Sequence, residues 1–367
     1  MNLFTTVKET PGQFPALTGM RAIAAFMVFF HHLPLHFGPR FLIGWQLSFY
    51  TGVTLFFTLS GFLITWRYYG KIELSGKYAW NYGIKRFARI YPLYFLVLTV
   101  VVLLLQNFNS LFLLQNYTLT HTLFFIFPSH GVAIPPSWSL TVEECFYLLA
   151  PLIFFLTRRA GLWLPFLLTL LLLLLIIFTY HDERPFWHRV FSIFTATFFG
   201  HCIAFYSGIW LALVLLKNKA ALVPRPGNAF YTVAAITGLA LLFIPLIYTT
   251  NKEAALRYTV MVVCNNLLLP LPVALLYYGL ACEKTVLQKL LGGSAFQLLG
   301  RSSYAFYLVH FPLIHWLATP FIRPYFIGGY NAYVLLVFLL TVGLSLALYR
   351  YVEHPLNIWI RRHLQNK

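Results

Sequence analysis

The chain has 367 residues, 60% of them hydrophobic and only 10% charged. Soluble domains carry about 25% charged residues, so this composition excludes an ordinary soluble protein and indicates a polytopic membrane protein. The net charge of +17 would suggest nucleic acid in a soluble chain. Here the cations sit in short loops between apolar runs, so positive-inside topology accounts for them and no nucleic-acid partner is expected.

Apolar runs lie at about 17–37, 45–65, 90–106, 138–156, 162–180, 190–216, 228–248, 258–280, 303–320 and 331–350. Each approaches the ~20 residues that cross a bilayer. The expectation is an all-α transmembrane bundle of about ten spans in one domain, 1–367, embedded in lipid. Residues 107–137 read instead as a loop with an interfacial or re-entrant piece, because Leu111–Leu114 and Leu123–Phe127 are short and Pro128, Pro135 and Pro136 break helices. Assigning Lys and Arg to alternate loops places twenty on the side of the N-terminus and six on the other, which puts both termini in the cytoplasm. The first run carries Arg21, His31 and His32 and has no small-residue cleavage site, so it reads as a retained span. Cys145, Cys202, Cys264 and Cys282 show no metal-ligand or CxxC spacing, and neither disulfides nor a metal is expected.

Within the first run, Arg21 and His32 are eleven residues apart, about three helical turns plus ~20°, and so share a face. Their separation along the axis is about 16 Å, which puts the imidazole near mid-membrane if the helix spans. Ionisable side chains at such depth mark a functional site by default. A neutral imidazole can take a proton from a hydroxyl and return it to a leaving group. His31 is rotated about 100° away, so the Arg21 face selects His32. The plain alternative is a pair of hydrogen-bonded interfacial or core histidines.

Further motifs follow in chain order. Ser60-Gly61 allows close helix approach, and Ser60 could equally touch a substrate. Arg86 and Arg89 share a helix face, where they serve either as membrane anchors or as a clamp for an anionic donor. Ser139 and Glu143 also share a face, with Glu144 about 100° away. Two carboxylates at the head of an apolar span are costly, and helix capping by Ser137 or Ser139 with first-turn acids is the competing account. Tyr307 and His310 lie one turn apart, as helix lining or with His310 as a second candidate base. At Tyr351–Pro355 the last span is expected to end before Pro355, and Arg361-Arg362 reads as a cytoplasmic anchor. Asp182, the only aspartate, lies in an outer loop, so no Ser-His-Asp set competes.

Taken in this order, the motifs resemble those of the acyltransferase-3 family, membrane O-acyltransferases that modify sugars and other hydroxylated molecules. The matching pieces are Arg21 followed after ten residues by His32, Phe56–Ile64, the Arg86/Arg89 pair, Ser139-x-x-x-Glu143, Ser303-Tyr304 before Tyr307-Leu308-Val309-His310, and Tyr351–Pro355. The resemblance runs from about residue 15 to 357. It implies acyl transfer, in particular acetyl transfer, from cytoplasmic acyl-CoA to a carbohydrate hydroxyl, with no bound cofactor, at a bacterial plasma membrane. Catalysis is then expected at His32, Glu143 and Ser139, with Glu143 orienting His32 or binding acceptor hydroxyls. Substrate contacts are expected at Arg21, Ser60, Arg86, Arg89, Glu144, Tyr307 and His310. Some relatives add an extracytoplasmic hydrolase-like domain, for which this chain is expected to have no room. The rival functions are a transporter or flippase of a glycan or acyl compound and a structural or sensory membrane protein. Against transport, no pair of Gly/Pro-broken spans recurs in matching halves.

Overall fold

The structure is a computed structural model that describes residues 14–35, 40–71, 76–123, 130–181, 185–218, 222, 228–249 and 252–364, with backbone alone at 40–43. The expected end of the first span at 36–37, most of Leu123–Phe127, and Lys8, Pro128, Asp182, Arg184, Lys219, Arg225 and Lys367 lie outside the described residues. Among the described residues every regular element is helical and none is a strand.

Among the described residues, each of the ten expected apolar runs falls mainly on helix. The helices are α1 (Pro15–His32), α2 (Arg40–Leu47), α3 (Gly52–Tyr68), α4 (Gly76–Leu105), α5 (Ser110–Tyr117), α6 (Trp138–Ala160), α7 (Trp163–Thr179), α8 (Phe186–Ala196) and α9 (Cys202–Lys217). They continue as α10 (Phe230–Thr249), α11 (Ala254–Met261), α12 (Pro270–Cys282), α13 (Val286–Gly292), α14 (Ser294–Arg301), α15 (Ser303–Pro312), α16 (Tyr330–Leu348) and α17 (His354–Leu364). Seven stretches among the described residues are long and apolar enough to cross a membrane: Gly44–Tyr68, Gly76–Leu105, Pro135–Ala160, Phe230–Thr249, Ala254–Cys282, Ser303–Tyr325 and Tyr330–Leu364. The helices α7 and α9 are shorter apolar helices. Helix α1, at 18 residues, is made less apolar by Arg21, His31 and His32. The leucines at 167, 168, 171, 172, 174 and 175 on α7 are exposed, as a lipid-facing helix requires.

Two expectations are corrected, at 190–216 and at Pro355. The run at 190–216 is broken between α8 and α9, where the Thr197 hydroxyl accepts the Gly200 N–H at 3.2 Å and the Gly200 backbone presses on Phe194. Within 107–137 the first short apolar piece forms a discrete helix, α5, whose N-terminus is capped by the Asn109 side chain. There the buried Asn116 amide binds the Phe112 and Gly131 carbonyls and the Ala133 N–H, which ties the loop down. The last span does not end before Pro355. A π-helical segment, Tyr349–Glu353, leads directly into α17, and the hydrogen-bond ladder crosses the junction, the His354 N–H donating to the Tyr349 carbonyl, so that Pro355 sits within a continuing helix.

Close backbone contact sets the inner helices. On α3, a side chain at Gly61 would collide with the Phe205 carbonyl of α9, and reciprocally one at Gly208 would collide with the Thr58 carbonyl. Gly19 on α1 and Gly300 on α14 are likewise pressed on the Leu291 and Thr18 carbonyls. Small residues at such crossings let helices approach in lipid, where apolar burial offers little drive. The buried core divides into three main apolar clusters, and Phe56 packs against all three. Helix α1 is therefore held on several sides, by α3, α13, α14 and α15.

Candidate active site

A cavity of about 1010 Å³ opens among these helices. Small-molecule sites occupy ~300–1,000 Å³, so this one can take a large ligand. Its wall carries seven cations, Arg21, Arg67, Lys85, Arg86, Arg89, Arg301 and Arg361, against the two carboxylates Glu143 and Glu353. A cationic wall of this kind in a low-dielectric bundle favours an anionic guest. All seven belong to the loops assigned by alternation to the side of the N-terminus.

The cavity brings together seven of the expected site residues: Arg21, Ser60, Arg86, Arg89, Ser139, Glu143 and Tyr307. The Ser60 and Tyr147 hydroxyls both donate to the Glu143 carboxylate. Arg21 lies within electrostatic reach of Glu143 and Glu353, and its buried Nε has no hydrogen-bond partner among the described residues. Ser139 is 2.7 Å from the Tyr307 hydroxyl, and both hydroxyls reach the Pro136 carbonyl, at 3.1 and 3.0 Å. These bonds overturn the capping account of the Ser139–Glu144 stretch. Ser137 makes no side-chain cap, the first turn of α6 holds no acid, and the Ser139 hydroxyl turns toward α15.

Both arginines of the α4 pair face the cavity but are already engaged. The Arg86 guanidinium lies 5.6, 5.9 and 5.3 Å from the ring centres of Tyr68, Tyr82 and Tyr147 and donates to the Tyr68 hydroxyl at 3.2 Å. Arg89 forms an ion pair with the buried Glu353 and sits over the Tyr304 ring. Glu353, expected only to mark a helix end, is thus a buried carboxylate on the cavity wall. Arg361, expected to be a plain anchor, joins it there, because the continuous α17 packs on α4 and its Asn357 amide donates to the Ala88 carbonyl at 2.9 Å. Lys85, Arg67 and Arg301 are three further wall cations that appear only as topology markers in the sequence. A feature that could have found them is their recurrence at one end of several apolar runs.

Glu144, His32 and His310 do not line the cavity. Glu144 faces α4, within electrostatic reach of Arg86. His32 lies beyond Tyr307: its Nδ1 is 2.8 Å from the Val28 carbonyl and 3.3 Å from His310 Nε2. The His32 Nδ1–H thus points to the Val28 carbonyl and His310 Nε2, not to Glu143. His31 turns aside to the Leu47 carbonyl, 2.6 Å from its Nδ1. The Phe56 and Tyr307 rings, 5.8 Å apart, pack at the cavity wall, and Tyr307 is one helical turn from His310.

The class these features define is a polytopic membrane protein with an open, cation-lined cavity next to a paired histidine. The chain belongs to the acyltransferase-3 family: the family described as "Acyltransferase domain" matches residues 14–350. The peptidoglycan O-acetyltransferase OatA of Listeria monocytogenes serovar 1/2a is 25% identical over 342 residues, covering 83% of this chain and 50% of its own length. The O-acetyltransferase OatA of Staphylococcus aureus strain NCTC 8325 / PS 47 is 26% identical over 376 residues, covering 95% and 58%. The chain therefore spans about half the length of these curated relatives. No solved structure matches it.

Proposed function

We propose that the chain is a membrane O-acetyltransferase that moves an acetyl group from acetyl-CoA to a hydroxyl of a cell-surface glycan at a bacterial plasma membrane. The names of the relatives support acetyl as the group and the peptidoglycan class as acceptor. The observation that carries the reading is the cavity. It joins seven cations, suited to the phosphates of the donor, to the Ser60–Glu143–Tyr147 and Ser139–Tyr307 hydrogen bonds, one helical turn from the histidine pair.

In this reading the donor enters from the cytoplasm. Arg67, Lys85, Arg301 and Arg361 meet its phosphates first, with Arg21, Arg86 and Arg89 deeper in the wall. The thioester passes the Phe56–Tyr307 pair toward His32. His32 removes the proton of the acceptor hydroxyl, the oxygen attacks the thioester carbonyl, and the C–S bond breaks. The departing thiolate takes the proton back from the imidazolium. The products are an O-acetyl ester and free CoA thiol.

The test compares His32→Ala with the matched control His31→Ala, using radiolabelled acetyl-CoA and membrane vesicles from the native host. Loss of base-labile label from glycan in the first variant and its retention in the second is the expected result. Full transfer by His32→Ala at normal expression would refute the scheme.

A further inference from the structure

The rings of His32 on α1 and His310 on α15 meet across 278 positions of sequence. Their hydrogen bonds fix their tautomers. A carbonyl oxygen only accepts, so the Nδ1 that faces one must carry hydrogen. His310 Nδ1–H donates to the Tyr307 carbonyl at 2.6 Å, and His32 Nδ1–H donates to the Val28 carbonyl at 2.8 Å. In the neutral rings both Nε2 atoms are then bare acceptors. His310 Nε2 lies 3.3 Å from His32 Nδ1 and accepts a share of the same hydrogen. Both nitrogens of His310 are thereby committed. The uncommitted ring nitrogen of the pair is His32 Nε2, which has no hydrogen-bond partner among the described residues.

The surroundings hold this arrangement. His310 is 1% exposed and lies parallel to the Phe306 ring, 6.5 Å away, with the Tyr307 ring at 5.6 Å. The His32 ring is flanked by Phe311 at 5.3 Å. Tyr307 also ties the pair to the cavity, because its carbonyl anchors His310 while its hydroxyl reaches Ser139.

We propose that His310 is a positioning residue that, together with the Val28 carbonyl, holds the His32 ring in the Nδ1–H tautomer, so that His32 Nε2 is the basic atom and His310 Nε2 accepts from the imidazolium formed when that atom takes a proton. The proposal rests on the reading of His32 as base. It removes His310 from contention as a second base, since neither of its nitrogens is free to face a substrate. No further reactant is needed: the proton moves from the acceptor hydroxyl to His32 Nε2 and on to the leaving thiolate.

The test uses the full chain in native-host membrane vesicles, with radiolabelled acetyl-CoA at varied concentration and label counted in base-labile glycan ester. His310→Gln can place an amide oxygen near the position of Nε2, whereas His310→Asn places its amide near Nδ1, short of His32. The expected result is a kcat lowered about 100-fold in His310→Asn and His310→Ala, donor KM within about twofold, and kcat restored to within about tenfold of the parent in His310→Gln. Parental kcat in His310→Asn or His310→Ala would overturn the proposal. So would a His310→Gln as slow as His310→Asn at equal expression and melting temperature. Transfer by His32→Ala would bring down the underlying reading and this proposal together. An inactive His32→Ala beside fully active His310 variants would sink the positioning role alone.

Discussion

Ser60 on α3 donates its hydroxyl hydrogen to the Glu143 carboxylate on α6, across 83 positions of sequence, and Tyr147 donates to the same carboxylate one turn further on. Two donors hold this carboxylate at the cavity wall, within electrostatic reach of Arg21. Replacing it by an amide deletes the charge that faces Arg21. A hydrogen bond to a charged group contributes about 1.5–3 kcal/mol, so Glu143→Gln is expected to slow transfer roughly 10- to 100-fold. Ser60→Ala, which leaves the Tyr147 bond in place, should cost less. Initial rates in vesicles, normalised to folded protein by melting curves in detergent, check both. A Glu143→Gln that melts early but transfers normally per folded molecule would make the carboxylate purely structural.

Arg89 and Glu353 form a pair whose members are unequally buried, with side chains 29% and 2% exposed. Removing Arg89 strands a carboxylate in the interior, while removing Glu353 leaves a cation that still meets the cavity. Breaking a buried pair on one side costs about 3–5 kcal/mol. Arg89→Ala is therefore expected to lower the melting temperature more than Glu353→Ala, and the double variant should recover part of the loss. A double-mutant cycle of melting curves reads this directly. Strict additivity would mean that the pair contributes nothing as a pair.

Arg67, Arg301 and Arg361 are exposed cations on the cavity wall. If they meet donor phosphates, each behaves as an exposed ion pair of about 0.2–1 kcal/mol. Each alanine variant should then raise donor KM by up to about fivefold with kcat and melting temperature unchanged. The effect should shrink in high salt, because screening weakens exposed pairs most. Steady-state kinetics at two ionic strengths distinguishes this from anchoring, which would lower the amount of inserted protein and leave KM alone.

The sequence showed most of what depends on residues close together along one helix. Arg21 and His32 stood out because ionisable groups are rare in an apolar run, and their shared face follows from spacing. The ten apolar runs fall mainly on helix for the same local reason, with the break at 197–201 the exception. What depends on partners from distant helices was hidden. Nothing in the stretch around Glu143 says that Ser60 will meet it, and a first-turn acid after serines reads equally well as a cap. Glu353 and Arg361 were misread because a proline two residues after the glutamate suggests a helix end. The π-helical segment before it carries the chain past that proline and swings the tail onto α4. The His32–His310 contact was also out of reach, since it requires α1 and α15 to be neighbours.

The crossing of α3 and α9 sets where Ser60 stands, and it depends on Gly208. A Cβ there would meet the Thr58 carbonyl, two residues before Ser60, at a distance that only a backbone shift can relieve. Overpacking of such contacts costs about 1–3 kcal/mol. Gly208→Val is expected to lower the melting temperature and to reduce transfer beyond the loss of folded protein, because the shift carries Ser60 away from Glu143. Gly208→Ala should do the same to a smaller degree. Gly343 on α16 is the control, as a Cβ there meets nothing within 4 Å. Gly343→Ala exchanges a poor helix former for the best one, a gain of up to about 1 kcal/mol in an open helix interior. It should therefore leave activity unchanged and the melting temperature equal or slightly higher. Equal losses in the Gly208 and Gly343 variants would mean that glycine matters here through general helix flexibility rather than through the close crossing that positions the site.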